Sequence, residues 1–273
     1  MPSPVLPVLA LDTATENIAV GLWLDGQAGA AAFTHNAPGG ALASRQLLPL
    51  LHTLLQRAGL QWQGIGAVAY GQGPGAFTGL RTACSVAQGL GFGIGCRLLP
   101  IDSLLIVAED ARLHADQHAG LHADQQADQH ADQQAGLPDA GDVAVAMDAR
   151  MDEAYAARYR WHGGRWLVVQ APALYTLPAL CAAWSTLPVS AWVAGSALAA
   201  FGDRLVLPAG CRRIAHEHDR AVALLRLARQ AAQDGEGLDP ADALPLYLRD
   251  KVALTTAERA AVKALAMAEG SRR

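Results

Sequence analysis

The glycine-rich segment at residues 71–81, GQGPGAFTGLR, has the residue types that could bind a phosphate. It follows an apolar stretch predicted to be a strand, residues 65–70, and leads into a predicted helix. Free N–H groups at a helix N-terminus attract anions, and glycines let the backbone come close to them. The spacing, however, matches neither GxxxxGK[ST] nor GxGxxG. The segment is therefore either an unusual phosphate loop or a tight structural turn.

Arg81 stands at an unfavourable place in the helix that follows this segment. With Thr78 as the N-cap, Arg81 lies in the first turn, where the helix dipole disfavours a cation by about 0.3–1 kcal/mol. We therefore expect a partner for Arg81. It is a bound anion, an acidic residue of the same fold such as Asp12, or a carboxylate across an interface, and a carboxylate is favoured over a phosphate.

The composition limits the classes of protein to which the chain can belong. Of its 273 residues, 52% are hydrophobic and 17% charged, enough for two modest domains. The net charge of −4 does not attract nucleic acid, so we expect any RNA to be held by a partner. The four cysteines lack CxxC spacing, which favours free thiols. Without a basic leader or an apolar run of about 18 residues, we expect a cytoplasmic protein that does not enter membranes.

The predicted elements occur twice in the same order. Three strands precede a helix at residues 44–58, and a strand, a second helix and a strand ending at Pro100 follow. From Val143 onward the order begins again. Two βββαβαβ units are the plan of the actin, sugar-kinase and Hsp70 class. The sequence therefore predicts an α/β protein with a duplicated RNase H-like or actin-like fold, in which two halves enclose a cleft.

The predicted boundaries divide the chain into five segments. They are a first half at 1–102, a connecting helix at 103–113, a low-complexity insert and linker at 114–142, a second half at 143–244 and a tail at 245–273. The tail includes a predicted helix at 257–268. A C-terminal helix could pack back on the first half.

The insert repeats the letters HADQ and has too few large apolar residues to offset its ordering entropy. His114, His118 and His122 recur at a spacing of four, which could present a metal site on a helix. Because Gly120 interrupts that helix, we interpret the segment as a surface loop.

Turns after three predicted strands are candidates for nucleotide binding. Asp12 and Thr13 follow the first strand, Asp148 follows the first strand of the second half, and Gly195 follows a later one. In actin-like ATPases, such turns contact phosphate and adenosine. Asp and Thr also close turns by hydrogen bonds to their own backbone, and we favour this structural role, with a vestigial nucleotide site.

Four motifs resemble those of the TsaB (YeaZ) family. They are LALDTAT at residues 9–15, GPGAFTGLR at 73–81, MDAR at 147–150 with Glu153 and Tyr155 behind it, and YLR at 247–249. The second is the most specific, since it differs from the family's GPGSFTGLR only at Ala76. The matches span nearly the whole chain except the insert, which is not a feature we associate with the family.

The resemblance implies a non-catalytic subunit of the complex that forms N6-threonylcarbamoyladenosine next to the anticodon of tRNA. The chain would bind and activate the catalytic subunit TsaD, which holds the metal, while the ATPase TsaE joins the pair. Alone it would form a homodimer, and it would meet tRNA only through the complex. No tightly bound cofactor is implied, and the partner interface is where a nucleotide could bind. TsaD binds its metal with a His-x-x-x-His pair, whereas the first long helix here contains only His52, so no metal and no catalytic residue is expected.

The resemblance also implies that the first two helices form the partner surface. Ala83, Ala87 and Gly91 recur at a spacing of four, which lets a second helix come close. Such a stripe could equally pack on the chain's own sheet, and the resemblance favours the interface. The predicted interface residues are Leu47, Leu50, Leu51, Leu54, Leu80, Arg81, Ala83, Ala87 and Gly91.

Two enzymatic functions are alternatives. A self-sufficient actin-like ATPase or sugar kinase would need carboxylates and a metal in the cleft, for which Asp12 and Asp148 are the obvious candidates. A glycoprotease-like peptidase has less support, because the sequence contains neither HExxH nor GxSxG.

From its spacing and from the resemblance, we interpret the segment at residues 71–81 as the turn that presents an interface helix.

Overall fold

The computed structural model describes residues 6–26, 29–122 and 141–249. The first sheet has the order β3-β2-β1-β4-β5. Its strands are β1 (Val8–Asp12), β2 (Asn17–Gly26), β3 (Gly29–Pro38), β4 (Ala67–Gly73) and β5 (Arg97–Asp102). Strand β1 is buried at every residue because it is central and covered on both faces. It runs antiparallel to β2 and parallel to β4.

Two long helices cover one face of this sheet. Helix α1 (Ala43–Ala58) ends at Gly59, whose φ of 65° lies in the left-handed region that glycine accepts most readily. Helix α2 (Phe77–Ile94) begins after Ala76, which gives no side-chain cap. The predicted N-cap, Thr78, is therefore wrong. Four leucines of α1 and the alanines of α2 pack with Leu9 and Leu11 of β1 in one core cluster.

The second half repeats the arrangement. Its strands are β6 (Gly141–Asp148), β7 (Glu153–His162), β8 (Arg165–Thr176), β9 (Trp192–Ala194) and β10 (Arg212–Ile214), ordered β10-β9-β6-β7-β8. Its own short helices are α4 (Leu177–Trp184) and α5 (Ala197–Phe201). Counted from the start of each half, both sheets have the strand order 3-2-1-4-5. The prediction of a duplicated actin-like fold is confirmed.

Two further helices lie between the sheets. Helix α6 (Arg220–Gln233) packs its alanines and leucines on Val8 and Ala10, the opposite face of the first sheet. Helix α3 (Ser103–His122) packs on Val143 and Val145 of the second sheet, and the two helices contact each other. Since α6 covers the first sheet, the placement of all of residues 143–244 in the second half is corrected.

Some predicted elements differ from the structure. Helix α3 continues through Gly120 to His122, so the predicted loop does not begin at residue 114. The burial of Ala115 against the second sheet explains part of this extension. Strand β10 and helix α6 were not predicted. The rest of the insert and the tail helix predicted at 257–268 lie outside the described residues. No helix within the described ranges is long and apolar enough to cross a membrane.

Candidate functional site

A cleft of about 980 Å³ lies between the two halves. Its walls are the turns after β1 and β6, the start of α2, the loop before α6 and residues 246–249. Of the four predicted cofactor-binding residues, Asp148 lines the cleft. Asp12, Thr13 and Gly195 are buried. Gly195 lies so close to β6 that a Cβ would be 2.3 Å from the Ala146 carbonyl oxygen.

Asp12 is neutralised inside the fold by Arg220, the first residue of α6. One Arg220 nitrogen lies 3.1 Å from the Asp12 carboxylate, and both side chains are buried. The other carboxylate oxygen accepts the backbone N–H of Ala14 at 2.6 Å. Burial disfavours the charge of Arg220, but the carboxylates of Asp12 and Glu217 outweigh it and raise the pKa of the guanidinium. The carboxylate at this actin-like position therefore already has its counter-ion.

The glycine-rich segment packs closely against the backbone of the turn after β1. The Thr13 hydroxyl donates to the Gly79 carbonyl oxygen at 2.7 Å, and the Ala76 N–H donates to the Ala14 carbonyl oxygen at 2.7 Å. A Cβ at Gly79 would come within 1.8 Å of the Thr13 carbonyl oxygen. Only glycine permits this approach of two chain segments. The segment has the geometry of a structural turn that fixes the start of α2.

The turn after β6 has a different character. Arg150, Met151 and Asp152 have φ values of 64°, 58° and 57°, which place three successive non-glycine residues in the left-handed region. Each such residue costs about 1–2 kcal/mol. Asp148 offsets part of this cost by accepting the Arg150 N–H at 2.8 Å. The Arg150 side chain reaches across to Glu16 of the first half at 3.2 Å, at the exposed mouth of the cleft.

Residues 244–249, which we call the strap, connect the two halves. The Leu246 N–H donates to the Gln72 carbonyl oxygen at 2.8 Å in the first half. At the other end, Arg249 pairs with Glu153 at 2.7 Å and donates to the Ala149 carbonyl oxygen at 2.9 Å. Arg249 thereby holds the left-handed turn of the second half. The sequence resemblance marked these residues as a motif but did not assign them this contact.

Arg81 does not contact a carboxylate within the described parts of the chain. Because α2 begins at Phe77, Arg81 lies a full turn inside the helix and is not disfavoured by the dipole as predicted. Its guanidinium carbon lies 3.9 Å from the centre of the Phe77 ring. Its Nε donates to the Tyr247 hydroxyl at 3.0 Å. Asp12, one of the partners considered for Arg81, pairs with Arg220 instead.

Most of the predicted interface residues belong to the core of the chain. Buried positions are Leu47, Leu51, Leu54, Leu80, Ala83, Ala87 and Gly91. The stripe of Ala83, Ala87 and Gly91 packs on the chain's own fold, which was the alternative left open, and Gly91 lies against Pro240. Of the predicted set, Leu50 is half-buried and Arg81 is exposed.

A second stripe of small residues lies on the exposed side of α2. It consists of Ser85, Gly89 and Gly93, and a Cβ at either glycine would meet no atom within 4 Å. On the same helix Phe92 is 63% exposed, and on α1, which contacts α2, Leu48 is 46% exposed. We call the following residues together the outer helical face: Leu48, His52, Arg81, Ser85, Gly89, Phe92 and Gly93.

The described residues contain no group of three or more His, Cys, Asp or Glu side chains arranged to hold a metal ion. His52, the single histidine of α1, is exposed and stacks on Trp62 with ring centres 6.2 Å apart. The protein ligands that a zinc-type centre requires are thus not assembled among these residues.

The chain has two 3-2-1-4-5 sheets, a cleft between them and helices that separate them. These features define a protein of the duplicated actin-like class. The chain is 30% identical over 260 residues to the tRNA threonylcarbamoyladenosine biosynthesis protein TsaB of Escherichia coli (strain K12). The match covers 90% of this chain and 96% of that protein. It is also similar to a solved structure of YeaZ from Pseudomonas aeruginosa, with 31% identity and a TM-score of 0.69 over 89% of this chain and 100% of that one. The chain belongs to the TsaB (YeaZ) family.

The comparisons also relate the chain to the catalytic branch of the same fold. The model of the family described as TsaD, tRNA N6-adenosine threonylcarbamoyltransferase, matches residues 34–183. The tRNA N6-adenosine threonylcarbamoyltransferase of Bordetella avium (strain 197N) is 40% identical over 60 residues, covering 22% of this chain and 17% of that protein. The region matched by the family model includes both α1 and α2.

Proposed function

We propose that this chain is a non-catalytic subunit of the machinery that forms threonylcarbamoyladenosine in tRNA, and that it binds and activates TsaD through the outer helical face. The observation that carries the proposal is this face, where small and apolar residues remain exposed on two long helices. The name of the E. coli relative supports the pathway. In this proposal TsaE joins the pair, and tRNA contacts the chain only through the complex.

The shape of the outer helical face suits helix-on-helix docking. Gly89 and Gly93 leave a shallow groove along α2, into which the ridge of another helix can fit. Phe92 supplies a large apolar contact of the type found at the centre of stable interfaces. Since the TsaD family model matches α1 and α2, the partner is expected to offer a related helix pair about a pseudo-two-fold axis. Two copies of this chain could pair in the same way when TsaD is absent.

The cleft supports a subunit without chemistry of its own. An ATPase or kinase of this class would need Asp12 free to hold a cation or a water molecule. Here Asp12 forms a buried ion pair with Arg220, and an approaching cation would have to displace that arginine. The proposal therefore assigns no tightly bound cofactor to the chain, and any nucleotide would bind at the partner interface.

The test is a bulky substitution on the outer helical face. Gly89 is exposed and a Cβ there would meet no atom within 4 Å, so leucine should preserve the fold while it blocks helix approach. We expect Gly89→Leu to weaken binding of TsaD from the same organism by about 100-fold, as for an interface hot spot. Isothermal titration calorimetry measures the affinity, and thermal unfolding checks the fold.

Ala183→Leu on the exposed side of α4 is the matched control, because it adds the same side chain to an exposed helix of the second half. Its affinity for TsaD should equal that of the unchanged chain. Equal TsaD binding by the Gly89 and Ala183 variants would contradict the assignment of the outer helical face. Hydrolysis of ATP by the purified chain alone, abolished by Asp12→Asn, would favour the enzymatic alternative.

A further inference from the structure

We propose that Arg81 is a preorganised receptor for a carboxylate, and that this carboxylate belongs to the TsaD chain docked on the outer helical face. The inference rests on the proposed function and adds the chemistry of one contact. Arg81 lies at the N-terminal end of the exposed stripe of α2, one turn before Ser85.

Two aromatic rings and one hydrogen bond fix the guanidinium of Arg81. The Phe77 ring lies beneath it, with its centre 3.9 Å from the guanidinium carbon. Tyr247 approaches from the side, with its ring 5.1 Å from that of Phe77, and accepts the Nε–H at 3.0 Å. The two terminal nitrogens make no hydrogen bond to any residue that the structure describes. They present a fixed fork of donors that matches a carboxylate in a bidentate manner.

The strap is what holds Tyr247 at this place. The Leu244 carbonyl oxygen accepts hydrogen bonds from the Tyr70 hydroxyl at 3.3 Å and from the Gln72 side chain at 3.2 Å. The Leu246 N–H bonds back to β4. Because these bonds restrain Tyr247 before any partner binds, less side-chain entropy is lost when Arg81 meets its ligand. The strap thus completes the partner surface although it follows α2 by more than a hundred residues.

Among the described residues Arg81 has no carboxylate partner, in contrast to three exposed arginines elsewhere on the fold. Arg150 pairs with Glu16, Arg165 with Asp234, and Arg204 with Asp152. Those surface cations are neutralised within the fold, whereas the charge of Arg81 is left for another molecule. The glycine-rich segment that precedes the helix is closed by hydrogen bonds to the chain's own backbone. A protein carboxylate at the docked helix pair is the ligand that this geometry favours.

The experiment measures TsaD binding without nucleotide, tRNA or phosphate, so that the anion can come only from protein. Arg81→Gln should weaken binding about tenfold to 100-fold, the range for a charged interface hydrogen bond. Its affinity should also depend less on salt concentration. Arg81→Lys should recover only part of the loss, because a lysine lacks the fork. Tyr247→Phe, which removes the bond to Nε but keeps the ring, should weaken binding less than Arg81→Gln and keep the salt dependence.

Arg213→Gln on the exposed side of β10 is the control for loss of a positive charge, and its affinity should stay within about twofold of the unchanged chain. Charge reversal by Arg81→Glu should abolish binding, and lysine in place of the matching TsaD acid should restore it. If Arg81→Gln and Arg81→Lys both bind like the unchanged chain while Gly89→Leu does not, this inference is overturned and the proposed function stands. Failure of the unchanged chain to bind TsaD would overturn both.

Discussion

The two halves share one sheet plan but differ in the helices that follow their third and fourth strands. In the first half these helices are α1 and α2, of 16 and 18 residues. At the same places in the second half are α4 and α5, of 8 and 5 residues. The apolar residues Leu177, Leu180 and Trp184 of α4 are all buried in its own core. Duplication therefore preserved the sheets, while only the first half kept helices long enough to present a second, outward face.

The equivalent turns differ in a related way. Asp12 is buried below the cleft, where it pairs with Arg220. Asp148 lines the cleft and accepts a hydrogen bond within the left-handed turn, which Arg249 also contacts. In both halves a basic residue from the C-terminal third of the chain completes the turn. Both carboxylates therefore have partners within the chain, which fits the proposed subunit with a structural cleft and a partner surface on the first half.

The largest effect on stability is expected from removing the counter-ion of Asp12 in the turn after β1. Arg220→Gln leaves Asp12 buried without a counter-ion and should lower the free energy of unfolding by about 3–5 kcal/mol. Asp148→Ala removes one turn hydrogen bond at the cleft and should cost about 0.5–1.5 kcal/mol. Urea unfolding followed by circular dichroism measures both. Equal losses for the two variants would show that the turns do not differ as described.

A second pair of variants compares an inward and an outward apolar residue. Leu180→Ala in α4 opens a cavity in the core of the second half and should cost about 2–5 kcal/mol. Phe92→Ser in α2 alters a side chain that is 63% exposed and should change stability by about 0.5 kcal/mol or less. It should nevertheless weaken TsaD binding about tenfold, since exposed aromatics dominate interfaces. A Phe92 variant with full affinity would remove that residue from the partner surface.

The smallest expected effect is a pH dependence of stability that arises from the second sheet alone. Asp142 and Arg160 lie opposite each other on β6 and β7. Hydrogen bonding from Arg160 lowers the pKa of the Asp142 carboxyl, although burial opposes it. Because the folded pKa lies below the unfolded one, this stabilisation is present above about pH 4 and is lost as pH falls through the folded pKa. The Arg160→Gln variant should therefore have a lower free energy of unfolding than the unchanged chain at neutral pH. In acid the two free energies should become equal.

The fold could be predicted because its signals are local. Apolar strands, the helix stop at Gly59 and the repeated βββαβαβ order all lie within short windows of sequence. Helix α6 escaped prediction because its buried face consists mainly of alanines, and the sheet that it covers lies some two hundred residues earlier. The ion pair of Arg220 with Asp12 depends on that long-range packing.

The site was harder to predict because two patterns on α2 look alike. Ala83, Ala87 and Gly91 have the same spacing as Ser85, Gly89 and Gly93, and the sequence does not say which stripe faces the sheet. Packing decides it, since the first stripe is buried. The environment of Arg81 was misjudged for a related reason. Thr78 has the residue type of an N-cap, but α2 begins one residue before it, at Phe77, and Tyr247 arrives from the far end of the chain.

Hydrogen–deuterium exchange of this chain with and without TsaD tests the central claim most directly. Docking on the outer helical face should slow amide exchange in α1 and α2, while α4 and α5 exchange at the same rate in both samples. With Gly89→Leu, the protection of α1 and α2 should disappear. Protection of α4 and α5, with α1 and α2 unchanged, would contradict the account.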